Sequence, residues 1–286
     1  MMLLLNSTLN YILKHLMMRK LKMIFKAITE LIKKPSLINL LISNDYVWQD
    51  YLTKHYSSIT CLPVIEIEDL IPDFNETLNT FTFLGGGSLP TDIMLLKALA
   101  KQIDDCSYFE IGTWRGESVV NVAEEAKECY TLNLSKDQIV DLGLPIEYAE
   151  LHGFFSKGKK NIIHLEGDSL TYNFASLNKK FDLIFIDGNH KYNFVKNDTE
   201  KIFKHLIHDD TIVVWHDYAY NPEAMRPEVF AGILDGLPEN YRKNLYHVSN
   251  TMCAIYTKKK LRTTQFNSLS TPKKVFITSL KVKKVN

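Results

Sequence analysis

The sequence predicts an α/β protein: a largely parallel sheet flanked by helices, with a helical N-terminal extension and a basic C-terminal tail. Three observations predict this. Between residues 81 and 257, short apolar runs alternate with helical patterns, as βα units do. The runs end in polar residues at their carboxyl ends, where open α/β sheets bind ligands. The last two runs are joined only by residues 249–252, too few for a parallel crossover, so one strand must be antiparallel.

The elements follow in order. Residues 9–32 place Leu9, Ile12, Leu16, Leu21, Ile24, Phe25, Ile28 and Leu31 at helical spacing, with Lys14, Arg19, Lys20, Lys22 and Lys26 between them. A helix of this kind packs on its own protein or a second copy, or rests on a membrane surface. Pro35-Ser36 breaks it before a second helix at 37–41. The stretch "LPVIEIEDLIPDFN" is expected to be an extended connector. The domains then read as a helical extension at 1–80, the α/β domain at 81–257 and the tail at 258–286. Strands are expected at 108–112, 129–134, 162–166, 183–187, 211–215, 245–248 and 253–256. Helices are expected at 91–102, 117–127, 194–206 and 227–234.

Hydrophobic residues make up 45% of the 286 and charged residues 23%, as in ordinary globular proteins. Cys61, Cys106, Cys129 and Cys253 are widely spaced and form no metal-type pair, which points to reduced thiols in the cytoplasm. No secretory signal or membrane-spanning run is expected. The formal charge of +1 conceals a strong asymmetry. Residues 1–34 hold seven Lys or Arg against one acid, and 258–286 hold nine against none, so the middle is strongly acidic. Basic ends on an acidic body suggest contact with phosphate, or tails that solubilise or pack on that body.

The chemistry begins at "YFEIGTWRGES" (108–118), a strand, a turn with Gly112 and Gly116, and a helix start. Glycine lets the chain turn tightly and approach a ligand closely. The spacing E-x-G-x-x-x-G, with Thr113 and Trp114 inside the turn, departs from the dinucleotide pattern and suits a ligand without a pyrophosphate. The second strand ends at Asn133, where an acid commonly accepts from ribose hydroxyls. The third ends in Asp168 and Ser169, which can read an adenine amine. The fourth, "FDLIFIDGNHKY", ends in Asp187, Gly188, Asn189 and His190.

With these motifs, residues 84–257 resemble a class I S-adenosylmethionine-dependent methyltransferase. They are most similar to the small-molecule and sugar O-methyltransferase branch, whose fourth strand ends in IDG-x-H (here 186–190) and whose fifth ends in HDY (here 216–218). The segment "LGGGSLPTDIMLLKAL" is similar to the stretch preceding the first strand in such proteins. The resemblance implies a Rossmann-like, seven-stranded sheet with one antiparallel strand. It implies that Glu110, Gly112, Thr113 and Gly116 cradle the methionine end of S-adenosyl-L-methionine. Asp168 and Ser169 would face adenine, and Asp187 would border the cofactor. The family has an acid where this chain has Asn133, an exchange that weakens ribose binding by about 1–2 kcal/mol.

In metal-dependent members of the family, residues ending the fourth and fifth strands hold a divalent cation. Here these are Asp187, His216 and Asp217. A hard cation such as Mg²⁺ favours the carboxylates, while His216, a softer ligand, also admits Mn²⁺ or a supporting role. An imidazole can take a hydroxyl proton as the methyl group arrives, and His190 is the candidate general base. Tyr192, Trp215, Tyr218 and Tyr220 form either a substrate wall or ordinary core and rim. Asp198 is either an inward-facing acceptor or a solvated charge, and His15, His152, His205 and His208 have no comparable setting.

The expected activity is methyl transfer to the oxygen of a sugar, polysaccharide precursor or other small polar acceptor. A homo-oligomer through the N-terminal helices and peripheral membrane contact are the partners to test, and the acidic middle disfavours nucleic acid. The alternative is a catalytically degenerate binding protein on the same fold, which Asn133 keeps open.

Overall fold

Ile, Tyr and Val are the commonest β-branched and aromatic residues in the segments that become strands, because such side chains suit a pleated buried surface. The computed structural model describes residues 2–33, 45–57 and 59–285, with side chains from Met17 onward, so the helix expected at 37–41 and the His15 side chain lie outside the described residues. The chain divides into two compact units, Met1–Val47 and Trp48–Asn286. The first carries the helix Met2–Lys33, longer than the 9–32 that periodicity predicts.

The strands are β1 (Val64–Ile65), β2 (Ser107–Ile111), β3 (Glu128–Asn133), β4 (Ile162–Glu166), β5 (Phe181–Ile186), β6 (Ile207–Trp215), β7 (Ala219–Asn221), β8 (Ala224–Met225), β9 (Leu245–Val248) and β10 (Ala254–Tyr256). Eight of them form one sheet in the order β1-β9-β10-β6-β5-β2-β3-β4, while β7 and β8 make a small separate ribbon. β10 is antiparallel to both its neighbours, as the short 249–252 link requires for β9, and every other pairing within this sheet is parallel. The expected seven-stranded sheet is therefore extended by one strand. The addition is β1, from the segment expected to be a plain connector. Val64 and Ile65 pair in register with His247 and Val248, and a turn of helix, Ile67–Leu70, follows.

Alternation along β2 shows how both faces are covered. Phe109 and Ile111 join one core with Ile184, Trp215, Val195 and Phe230. Tyr108 joins the other with Leu183, Leu96 and Val119. Side chains alternate across a strand, so a strand buried on both faces becomes a continuous apolar run. The helices Tyr192–His205 and Pro227–Gly236 cover the first face, and Pro90–Lys101 and Glu117–Val122 the second. The helix expected at 117–127 thus stops at Val122.

The tail is held in part to the acidic body. Thr264 forms an antiparallel bridge with Val64, and Lys274 bonds Glu66 at 2.5 Å and also meets Glu68. Chain order reverses between β2 and β5: β3 and β4 lie on one side of β2, and β5 and β6 on the other. That reversal opens a crevice at the carboxyl ends of β2 and β5, the position where open α/β sheets bind ligands.

Candidate active site

Gly112 ends β2 with φ +97, and a Cβ placed there would stand 2.0 Å from the carbonyl oxygen of Asp187. Glycine is required here because the β2 turn touches the end of β5, leaving no room for a side chain. Gly116 also has positive φ (+81), and its missing Cβ makes way for the Ser156 side chain. Both glycines shape the turn through protein contacts.

Glu110 lies deeper than its expected place at the rim. It is 0% exposed, and Tyr108, Ser118 and Thr131 each donate a hydroxyl to its carboxylate at 2.8 Å. Burial pushes its pKa up to about 8, against the pull of these three donors. Thr113 is buried too and shares a hydrogen bond with Thr131. Glu110 therefore ties β2, β3 and the following helix together beneath the site.

Above it lies a cleft lined by Gly86, Gly87, Gly112, Trp114, Arg115 and Asp187. The loop over this cleft is pinned at two points. The Thr82 amide donates to Glu117 at 2.7 Å, and Arg115 donates to the Gly85 carbonyl at 3.1 Å. Trp114 has φ +42, a strained value for a bulky residue. Its ring packs on Tyr148, yet its buried Nε1 has no hydrogen-bond partner, and the place where a Gly86 Cβ would stand is only 3.4 Å from it. An orphaned donor facing a glycine loop fits the carboxylate end of an amino-acid ligand. Sequence reasoning noted Trp114 only as a break in the dinucleotide pattern.

Along the sheet rim, the Asn133 side chain donates to the Leu134 carbonyl at 3.0 Å and is partly exposed. Asp168 is partly exposed and accepts from the Leu170 amide at 2.9 Å. The Ser169 hydroxyl bonds Asp198. Asp198 is the inward-facing acceptor of the two alternatives: it is 1% exposed, and burial pushes its pKa up to about 6.

The third group surrounds the ends of β5 and β6. Asp187, His216 and Asp217 each offer a ligand atom within 4.8 Å of the others. His216 Nδ1 lies 3.0 Å from Asp187 Oδ1 and 3.2 Å from Asp217 Oδ2. Its Nε2 lies 3.1 Å from Asp92 Oδ2. Burial alone would lower the His216 imidazole, but Asp187, Asp217 and Asp92 outweigh it and hold it well above its ordinary value. Burial raises Asp187, with the Asp217 charge adding to it against His216. Asp217 shows the reverse balance: burial works to raise it, and His190 and His216 hold it well below the carboxylate range. Asp217 has φ +56, and Arg226 stands 3.5 Å from its other oxygen.

His190 Nδ1 is 2.9 Å from Asp217 Oδ2, and its side chain is 46% exposed. A second cleft, lined by Asp187, Gly188, Asn189, His190, Trp215 and His216, adjoins the first through Asp187. Asp92 is the residue sequence reasoning missed. It is fully buried near the start of Pro90–Lys101 and also accepts from the Leu89 and Met252 amides. A lone acid in the apolar run "DIMLLKALA" was the available signal.

Of the two readings of the aromatic cluster, Trp215 and Tyr218 take the core one. Trp215 is fully buried and donates to Thr199 at 2.9 Å, and Tyr218 is fully buried with its hydroxyl accepting from the Leu62 amide. Tyr192 donates to Asp235 at 2.5 Å and stacks on Trp48 at 4.7 Å.

A family model described as a methyltransferase domain matches residues 109–218. No curated protein sequence matches the chain. Among solved structures, it is similar to the SAH-bound methyltransferase PaMTH1 of Podospora anserina, at 20% identity over 59% of this chain and 78% of that one, TM-score 0.42. An O-methyltransferase from Bacillus cereus in complex with SAH shares 17% identity over 79% and 97%, TM-score 0.41. With a putative methyltransferase from Bacillus halodurans the identity is 13%, TM-score 0.34, and the match spans 44% of this chain and half of that one. Residues 109–218 thus match a methyltransferase domain and lie on a Rossmann-like, mostly parallel sheet.

Proposed function

We propose that the chain is an S-adenosylmethionine-dependent O-methyltransferase acting on a small polyhydroxylated acceptor, assisted by a divalent cation. The observation that carries this reading is the position of Asp187, shared between the glycine- and tryptophan-lined cleft and the cleft holding His190 and His216.

In the first cleft, Trp114 Nε1 would receive the cofactor's carboxylate, and Asn133, Asp168 and Ser169 would line the nucleoside end. When bound there, S-adenosylmethionine would supply an electrophilic methyl group on sulfur for transfer to the acceptor oxygen. In the second cleft, Asp187, His216 and Asp217 fit a cation through two carboxylate oxygens and one imidazole nitrogen. Asp92 holds Nε2 of His216, which leaves Nδ1 to face the cation and fixes the ring, as carboxylate partners do behind metal-bound histidines. A bound cation would supply Lewis-acid polarisation of the acceptor hydroxyl.

His190 serves as the base. Its Nδ1–H donates to Asp217, which fixes the tautomer and leaves Nε2 to take the hydroxyl proton. Conversion of S-adenosylmethionine to its demethylated product is to be followed with a panel of sugars and phenols, with and without chelator. The reading expects acceptor-dependent turnover that chelation suppresses and that His190→Ala lowers roughly a hundredfold or more. Turnover indifferent to His190 would reassign the base, and turnover indifferent to chelator would remove the cation.

A further inference from the structure

Two segments outside the site expose apolar side chains among basic ones. In Met2–Lys33, the residues Met17, Leu21, Ile24, Phe25, Ile28 and Ile32 fall at i, i+4, i+7, i+8, i+11 and i+15, forming one broad stripe. All six are exposed, Phe25 and Ile32 at 75%. Arg19, Lys22, Lys26 and Lys33 recur at i, i+3, i+7 and i+14 on the opposite face, with Glu30 the one acid among residues 17–33. In the other unit, residues 275–285 expose Ile277 (98%), Leu280 (77%) and Val282 (95%) beside Lys281, Lys283 and Lys284. Residues 258–286 contain no acid.

One surface answers both features of both segments: an apolar layer beneath a layer of negative charge. That is the boundary of an anionic bilayer, where amphipathic basic helices settle. A second copy of the helix is a poorer match. The stripe spreads beyond a two-position coiled-coil seam to include Phe25 and Ile32, and Lys20 beside it lacks the acids that flank such seams. Nucleic acid would answer the lysines but leave Phe25, Ile28 and Ile277 in water. The acidic middle of the chain would be repelled by such a surface, which confines the contact to the two basic ends. No described helix is long and apolar enough to cross a membrane.

We infer that this protein docks peripherally on anionic membranes through the basic, apolar-striped helix Met2–Lys33, with the basic C-terminal segment as a second attachment. Two weak attachments together give the stable anchoring that a single one does not.

The test is co-sedimentation of the full chain with vesicles of phosphatidylcholine alone and of phosphatidylcholine mixed with phosphatidylserine. The inference expects pelleting with the mixed vesicles only, weakened by salt. Phe25→Asp with Ile28→Asp should lower the partition coefficient tenfold or more. Removing Lys22 and Lys26 should lower it roughly fivefold each, and Ile277→Asp with Val282→Asp should lower it again. These side chains are exposed, so unchanged thermal unfolding confirms that the variants fold. Failure to pellet, equal pelleting with neutral vesicles, or a dimer in sedimentation velocity that Phe25→Asp with Ile28→Asp abolishes would each overturn it.

Discussion

His216 Nε2 stands 3.1 Å from the carboxylate of Asp92, a group wholly excluded from solvent on the helix Pro90–Lys101. The site at the ends of β5 and β6 is therefore braced from the opposite layer of the fold. Removing Asp92 would leave a buried, charged imidazole short of a partner and two amides, Leu89 and Met252, without an acceptor. Asp92→Ala should lower stability by about 3 kcal/mol, read as a shift in urea midpoint. Asp92→Asn, milder to the fold, should weaken Mn²⁺ binding by roughly ten- to a hundredfold in a metal titration.

Glu110 makes stability depend on pH in a stated direction. Burial raises its folded pKa to about 8, from 4.5 for the free group. Between those values the native state holds a proton that the unfolded state has released, so stability falls as pH rises through that window. Replacing Glu110 with Gln should flatten this dependence by a few kcal/mol between pH 5 and 8. Equal slopes for the two proteins in urea unfolding would show that Glu110 is ionised throughout.

Two glycines with similar positive φ, +97 at Gly112 and +83 at Gly143, should respond very differently. At Gly112 a methyl group meets the Asp187 backbone, whereas at Gly143 (φ +83) nothing lies within 4 Å. Gly143→Ala should cost only about 1 kcal/mol of backbone strain. Gly112→Ala should cost about 4 kcal/mol or more, because backbone must move and cannot do so cheaply. Thermal unfolding distinguishes the two.

Asn133→Asp tests the ribose position. A carboxylate accepts from two hydroxyls, but Glu166 lies in register beside this residue on β4 and opposes a second charge. The expected gain in affinity for the demethylated cofactor is about fivefold, below the full value of a charge-assisted pair. A loss of affinity would place the ribose elsewhere.

How legible the molecule was follows from what kind of signal each part leaves. The central strands and the antiparallel β10 could be read because apolar runs and a short link constrain pairing directly. The proximity of Asp187, His216 and Asp217 was legible because strand ends place adjacent residues in a crevice, and their ligand atoms lie within 4.8 Å of one another. β1 was not legible, since two residues make no periodicity and its partner β9 is about 180 residues away in sequence. Asp92 and the orphaned Trp114 Nε1 were hidden for a related reason. Their roles arise from contacts across layers, which local spacing does not encode. Glu110 stands out in the sequence, but its contacts are internal: it is fully buried, and its carboxylate accepts from Tyr108, Ser118 and Thr131 beneath the rim.

The central claim is that the crevice between β2 and β5 receives S-adenosylmethionine. Calorimetric titration of the full chain with the demethylated cofactor tests it most directly. The account predicts saturable binding of one molecule per chain, diminished when Trp114 is replaced by Phe, which keeps an aromatic ring but lacks Nε1–H. Absence of heat and of any thermal stabilisation at millimolar ligand would contradict it.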